Sequence, residues 1–479
     1  MSRNRSRALV VALATAVAGC RSAPPEPVAP ERLGIDLPAA WKATVSAKGS
    51  PSQDWWRGFA DPSLDALLAD ALTHNQGLVA AAERVLAADA RQVIAGAPRL
   101  PQVDGGLTAN RTRRNFIGFP IPGSDPDDPP SVTTTIYGTS LNLSWELDLW
   151  GRLAAVGSAA SADLQASVAD LAAARLSLVG QVCKAYFAAV TAAELQQLAE
   201  SSVASFEATA ADVRERYRSG VRPALDVQLA ELNVSQARAN VQLRKEELAR
   251  TLRQLDVLAG RYPAGEQVFA LELPQQVPEV PAGIPSELLQ RRPDLAAAER
   301  RLAAAGCRLD AARAALYPRI SLTASGGTST DDLKNAADSD FRVWSLGANL
   351  VQPLFQGGAL RAEVERNEAV QRELLANWTG AVLGALADVE SALAAEALLA
   401  ERERALDDAA RHARLAAGLA SERYRQGISD FLAVNDSQRQ SFLADTALVA
   451  IRQQRLANRI DLHLALGGGY EPAPATESP

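Results

Sequence analysis

The chain has 479 residues, enough to bury a large core and, by length alone, to hold roughly two to four domains. Its net charge is −7 and no basic block is present, so nothing in it supports nucleic-acid binding through phosphate neutralisation. Aromatics make up 5% of residues and the sole Met is the initiator, whereas alanine is abundant, which suits helices packed at close range.

Residues 1–19 read as a targeting signal: Arg3, Arg5 and Arg7 precede an apolar run from Ala8 to Val17 that is too short to span a bilayer. The run ends in Val17-Ala18-Gly19-Cys20, which resembles the bacterial lipobox. That resemblance implies cleavage before Cys20 and acyl chains on its thiol and amine. Arg21 stands where inner-membrane retention would place Asp. An ordinary signal peptide would also fit; the context of Cys20 favours a lipid-anchored segment over residues 20–60.

From residue 61 the chain repeats itself. "AAAERVLAADA" (80–90) matches "AAAERRLAAAG" (296–306), and Leu100-Pro101 matches Tyr317-Pro318. "LSWELDLWGRL" (143–153) matches "LVQPLFQGGAL" (350–360), "RYRSGV" (216–221) matches "RYRQGI" (423–428), and Gly260 matches Gly467. The order never changes and the offsets stay between 207 and 217, the mark of a tandem duplication rather than a solenoid. The halves are residues 61–262 and 286–470, joined by a Pro-rich linker over 263–285 and followed by a tail over 471–479.

Each half predicts one plan. A helix (62–97 and 286–316) follows a capping signal, Asp61-Pro62-Ser63 or Pro285-Ser286. Two strands follow (102–110 and 134–147; 319–327 and 341–352), then a very long helix (152–219 and 359–426) and a returning helix. In "TTTIYGTSLNLSWEL" Tyr137, Leu141, Leu143 and Trp145 alternate with Gly138, Ser140, Asn142 and Ser144; Trp344, Leu346, Ala348 and Leu350 do the same. Such alternation fits a half-buried strand in a soluble sheet as well as a membrane strand. The long polar loop inside each pair of strands favours the membrane. Four strands cannot close a barrel, for which about eight is the small end, and open edges in lipid cost several kcal/mol per unpaired group. The chain therefore has to oligomerise. At ~1.5 Å per residue the long helices reach roughly 100 Å, which a returning helix stacked on a pre-strand helix would match. The linker and both chain ends would meet at mid-height.

No catalytic or metal-binding motif emerges. His74, His412 and His463 lack partners at ligand spacing and read as surface or filler residues, and no Walker A, GxSxG or HExxH pattern occurs. "SGG" (325–327) and "GGG" (467–469) read as turn glycines. Cys183 and Cys307 read as free, buried thiols. No stretch after the signal has 18 uncharged apolar residues, so no transmembrane helix is expected.

The signatures "WELDLWGR" (145–152), "RRPDLAAAERRL" (291–302), "QPLFQGG" (352–358) and the two "RYR" phrases, in this order and duplicated, resemble the TolC family of outer-membrane channels in its lipid-anchored branch. The resemblance covers nearly all of the mature chain. It implies a mainly helical homotrimer, in which a twelve-stranded β-barrel in the outer membrane continues as a twelve-helix cylinder through the periplasm. It implies an exit duct without catalysis or cofactor, apart from the covalent lipid on Cys20. Its partners would be a periplasmic adaptor and an inner-membrane pump of the resistance–nodulation–division type. The functional residues would sit at the helix-hairpin tips. Gly220 and Gly427 make the turns, flanked by Arg218, Arg222, Leu225, Arg425, Ser429 and Asp430, where the adaptor docks. By resemblance Tyr424 and Asp226 hold neighbouring helix pairs shut, and Leu432 and Asp436 form aperture rings. Three Asp436 carboxylates round an axis would repel one another and attract cations. Solvated helix-end charges are the plainer account of the same residues. Ser429 stands where some relatives carry an Arg, so an Arg-based clamp is expected to be either absent or rewired through Arg222 to Asp430 or to a neighbouring chain. Two other readings remain open: a duct for type I protein secretion, and a lipid-anchored structural coiled coil.

Overall fold

The computed structural model describes residues 23–36, 38–43, 52–116, 130–267, 269–270, 272–274 and 279–470. Cys20, the signal segment and the C-terminal tail lie outside them. Seven helices carry the described chain: α1 (Pro62–His74), α2 (Gln76–Gly96), α3 (Arg152–Arg218), α4 (Ala224–Leu258), α5 (Pro293–Ala314), α6 (Ala359–Arg425) and α7 (Phe431–Ala465). Four strands accompany them: β1 (Gln102–Asn115), β2 (Ser131–Leu147), β3 (Arg319–Thr330) and β4 (Arg342–Val351). The order of elements is the same in both halves.

The expected helix over 62–97 is two helices. Asn75 is extended (φ −64°, ψ 120°); its side chain caps α2 by accepting from the Leu78 amide and donates to the Leu258 carbonyl. The helix expected over 286–316 breaks at the matching place. Arg292, just before Pro293, is extended (φ −94°, ψ 117°), because the proline ring disfavours the helical conformation in the residue preceding it. Only a turn, Leu288–Arg291, precedes the break. These breaks receive the returning helices. Gly260 ends α4 at φ 71° and Gly467 follows α7 at φ 85°. A Cβ would stand 2.3 Å from the His74 carbonyl oxygen in the first case and 2.0 Å from that of Arg291 in the second. α4 thus abuts the start of α2, and α7 abuts the start of α5.

The helices lie side by side in one layer. Near the strands the order is α2–α3–α5–α6; toward the hairpin tips it is α4–α3–α7–α6. α3 and α6, 67 residues each, run the whole height, about 100 Å. α3 is also the one described helix long and apolar enough, by length and composition, to cross a bilayer, but 67% of its apolar window is buried against its neighbours. That burial accounts for its apolarity.

The core concentrates at mid-height. Trp55, Trp56 and Phe59 pack with Leu64 and Leu68 of α1, Tyr186 and Phe187 of α3, Leu255 of α4 and Ile460 of α7. Trp41 joins the far side, donating to the Ala282 and Gly283 carbonyls at 3.2 Å. The N-terminal segment and the end of α7 therefore meet where the short helices join. His463 is buried there, stacked on Trp55 at 4.4 Å between ring centroids. Burial, with the Arg459 cation beside it, pulls its pKa down to about 3. Cys183 is buried on α3, where desolvation pushes its thiol up; Cys307 is only half-buried, since α5 has helices on two sides and is open on the others. His74 and His412 are exposed.

The strands form one antiparallel sheet in the order β1-β2-β3-β4. Its register aligns the alternation of all four strands. Leu141 of β2 faces Gly105 of β1 and Gly326 of β3, which faces Trp344 of β4; Leu143 faces Val103 and Ala324, which faces Leu346. One face is therefore Val103, Leu107, Leu141, Leu143, Trp145, Leu322, Trp344, Leu346 and Leu350. The other is Asp104, Ser140, Asn142, Ser144, Thr323, Ser325, Ser345 and Asn349, where Ser325 and Ser345 hydroxyls bond at 2.8 Å. Gly326 and Gly327, expected in a turn, lie inside β3; at Gly327 a Cβ would come within 1.9 Å of the Thr139 carbonyl oxygen.

Candidate functional site at the hairpin tips

Each long helix ends in the same stop. After α3 the Gly220 amide bonds to the Tyr217 carbonyl and the Val221 amide to that of Arg216; after α6 the Gly427 and Ile428 amides bond to Tyr424 and Arg423. Gly220 and Gly427 sit at φ 71° and 77°, as this C-cap requires. Arg218 and Arg425 occupy matching places and pair with Glu215 and Glu422 on their own helices. Two equivalent turns are thereby set next to each other at one end of the layer.

Beyond the turns the copies diverge. Tyr424 is 2% exposed, in a cluster with Ala210 and Val213 of α3, Ala230 and Val234 of α4, and Phe431 and Val434 of α7. Two guanidinium groups face its ring, Arg216 at 4.5 Å and Arg222 at 5.4 Å from the centroid. Arg216 donates to the Arg425 carbonyl at 2.8 Å and Arg222 to the Ser429 carbonyl at 3.2 Å. Both arginines belong to the first hairpin and both carbonyls to the second. Cation–π attraction of this kind contributes ~0.5–2 kcal/mol per contact as desolvation increases. Burial raises the Tyr424 pKa, opposed by the two arginines, so the ring stays a neutral phenol.

The expected clamp from Arg222 to Asp430 is not what forms. Asp430 is occupied as the cap of α7, accepting from the Ala433 amide at 2.9 Å, and Arg222 takes the Ser429 carbonyl instead. Asp226, half-buried in the first turn of α4, acts on Tyr424 electrostatically, but among the described residues the Tyr424 hydroxyl has no hydrogen-bond partner. Leu432 (57% exposed) and Asp436 lie one turn apart on the open side of α7, and Leu225 holds the place of Leu432 in the first hairpin, 64% exposed. The structure thus brings Tyr424, Asp226 and Arg222 together. Leu225, Leu432 and Asp436 stay on the surface.

Sequence reasoning missed Arg216. It opens the first "RYR" phrase, but only the approach of the ends of α3 and α6 at the tips puts it over Tyr424. It also missed the bond from Asn233 to Asn435 at 2.7 Å and those from Gln438 to Ser205 and Thr209, which tie the hairpins together above the tip. A groove of about 560 Å³ between α1 and the end of α4 holds Asp70, Asp256, Arg261 and Tyr262. Its charges are engaged with one another: Arg261 pairs with Asp70, and Asp256 accepts from the Gly265 amide. Among the described residues no group of three metal-ligating side chains occurs.

A two-faced antiparallel sheet with both edges open, set on a 100 Å layer of helices, defines a membrane channel subunit. The outer membrane efflux protein family matches the chain in two stretches, residues 67–261 and 284–468. The pyoverdine export outer membrane protein OpmQ of Pseudomonas putida is 35% identical over 450 residues, covering 92% of this chain and 94% of that one. Outer membrane protein OprJ of Pseudomonas aeruginosa is 33% identical over 470 residues, covering 97% and 95%. Among solved structures, the open-state MtrE outer membrane channel of Neisseria gonorrhoeae matches with a TM-score of 0.79 at 30% identity, covering 94% of this chain and 97% of that one. The chain belongs to the outer membrane efflux protein family. It works in the bacterial outer membrane as the exit duct of an efflux system.

Proposed function

We propose that three copies close into one tube, a twelve-stranded barrel continued by twelve helices, and that it completes a tripartite pump with a periplasmic adaptor and an inner-membrane pump of the resistance–nodulation–division type. The observation that carries this is the sheet register. An apolar face and a small polar face, each continuous across four strands, suit lipid outside and water inside. β1 and β4 are unpaired at opposite edges, and only another copy supplies the missing neighbour without exposing backbone to lipid. The helical layer has matching ends. α2 exposes Val79, Leu86 and Val93 at seven-residue spacing, α4 exposes Leu232 and Leu243, and α6 exposes Leu383, Leu398, Leu415 and Leu419 on the opposite edge. Such a head-to-tail interface generates a closed ring. The number three rests on the family resemblance, and the repeated order of elements supports an origin by duplication.

A lipid on Cys20 fits the same geometry. The Pro25 carbonyl accepts from Arg300, which lies 14 residues before the strand-side end of α5, about 21 Å along it. Five extended residues reach up to ~18 Å, so an acyl chain on Cys20 can enter the inner leaflet. At the far end, Leu225 and Leu432 form the apolar surface for the adaptor's tips, and Leu432 with Asp436 lines the aperture. Tyr424, Arg222 and Asp226 hold the mouth closed. A relative in pyoverdine export supports small-molecule cargo over polypeptides. The purified full-length protein is expected to run as a heat-modifiable trimer and to conduct ions in a planar bilayer. Absence of both would overturn the channel and favour a structural coiled coil.

A further inference from the structure

We propose that the outward face of the sheet carries a binding site for the phosphate groups of the outer-leaflet glycolipid, built from Arg111 and Arg113 of one subunit and Arg342 of the next. The inference rests on the barrel closure described above, and it starts from parity along β1. On the apolar face β1 presents Val103, Gly105, Leu107 and Ala109, then Arg111 and Arg113; opposite the two arginines stand Thr135 and Thr133 of β2. The apolar band thus ends abruptly and two guanidinium groups continue the same face. The helices leave the sheet from Leu100, Leu147, Pro318 and Val351, at the other end of the strands. The arginine end is therefore the external end. Charges on the lipid side of a barrel are tolerated only near the interface, which places both arginines at headgroup depth.

Arg342 opens β4 on the same face, paired with Thr328. β1 and β4 are the two free edges, so in the proposed ring the strand that carries Arg342 of one subunit borders the strand that carries Arg111 and Arg113 of its neighbour. All three side chains are exposed, and among the described residues none has an ion-pair or hydrogen-bond partner. Arginines of the shaft, in contrast, are commonly matched with carboxylates, as in Arg301–Asp170, Arg308–Asp163 and Arg455–Glu403. Arg111 and Arg113 stand about 6.7 Å apart along the strand, close enough to repel unless an anion lies between them. A phosphate accepts two parallel N–H bonds from a guanidinium, a fit that Lys would not reproduce. The side chains face lipid, not the lumen, so the anion they meet is a lipid headgroup rather than cargo. The partner at this depth is the phosphorylated glycolipid of the outer leaflet.

The test uses the full-length, delipidated trimer and native mass spectrometry with three probes: diphosphorylated lipid A, the same lipid after phosphatase treatment, and phosphatidylglycerol. Wild type is expected to retain the diphosphorylated lipid and to lose most of that affinity when the phosphates are removed. Arg111→Gln with Arg113→Gln should weaken retention by roughly tenfold or more while heat-modifiable migration and conductance stay unchanged. Should the double variant not assemble, Arg342→Gln alone is expected to weaken it by roughly threefold. Retention within twofold of wild type in the assembled variant overturns the site, and so does equal retention of the dephosphorylated lipid. Equal retention of phosphatidylglycerol overturns the glycolipid assignment. A wild-type chain that forms no heat-modifiable trimer counts against the barrel itself, a result distinct from lost lipid.

Discussion

Tyr217 and Tyr424 hold the same place in two copies of one phrase, yet the first is 48% exposed and the second 2%. The difference comes from what each helix meets. At the end of α6 the second tyrosine packs against residues of α3, α4 and α7 and is covered by two arginines. In the proposed gate, ring and guanidinium, not the hydroxyl, hold the tip. Tyr424→Phe is expected to leave single-channel open probability unchanged, because the hydroxyl has no partner to lose. Tyr424→Ala removes a buried ring at a cost of about 3–5 kcal/mol and should raise open probability sharply. Arg222→Ala should raise it less, by the ~0.5–2 kcal/mol of the cation–π contact. A Phe variant as leaky as the Ala variant would refute this division. His463 sets a pH dependence at the same scale. It is neutral when folded down to about pH 3, whereas in the unfolded chain it takes up a proton near 6.5. Stability from this residue is therefore complete above pH 6.5 and falls as pH drops toward 3, by an amount on the order of a few kcal/mol. His463→Phe should flatten the fall of Tm over that window.

At the level of elements, the decisive joints are the two helix junctions. Gly260 and Gly467 combine positive φ with a backbone carbonyl where a Cβ would go; Gly427, with the same sign of φ, has open space around it. Gly427→Ala should cost only the left-handed penalty of ~1–2 kcal/mol. Gly467→Ala must also displace the Arg291 carbonyl and should cost ~1–3 kcal/mol more, read as a lower Tm. Equal losses at the two glycines would show that α7 does not press on that carbonyl. The repeat, the strands and the long helices were legible because apolar spacing and matched phrases record them directly. The break at Asn75 is marked only by the polar run Thr73 to Gly77, which the alanine-rich stretches on both sides outweigh when the segment is read as one helix. Its counterpart was signalled by Arg292-Pro293, and the cost of a helical residue before proline explains it. Gly326 and Gly327 were misread as a turn because glycine marks both turns and close strand contacts.

For the whole molecule, the sheet decides. Leu141 and Asn142 are neighbours in sequence and point to opposite faces of β2. Leu141→Arg places a cation against lipid, costing ~2–4 kcal/mol near the midplane, and should deplete the heat-modifiable trimer. Asn142→Arg puts the same charge on the polar face and should spare assembly while altering ion selectivity; equal loss of trimer in both variants would contradict the face assignment. From the sequence alone come the class and order of the long helices and strands and the two tips, and with them the expectation of more than one copy. Those follow from local periodicity and from the rule that backbone must be paired in lipid. The packing of the helices decides which tyrosine is buried, that Arg216 lies over it, that Arg222 meets the Ser429 carbonyl and not Asp430, and where the short helices stop. Each of these depends on which helices meet and at what height, and spacing along a chain does not encode distances between segments 200 residues apart.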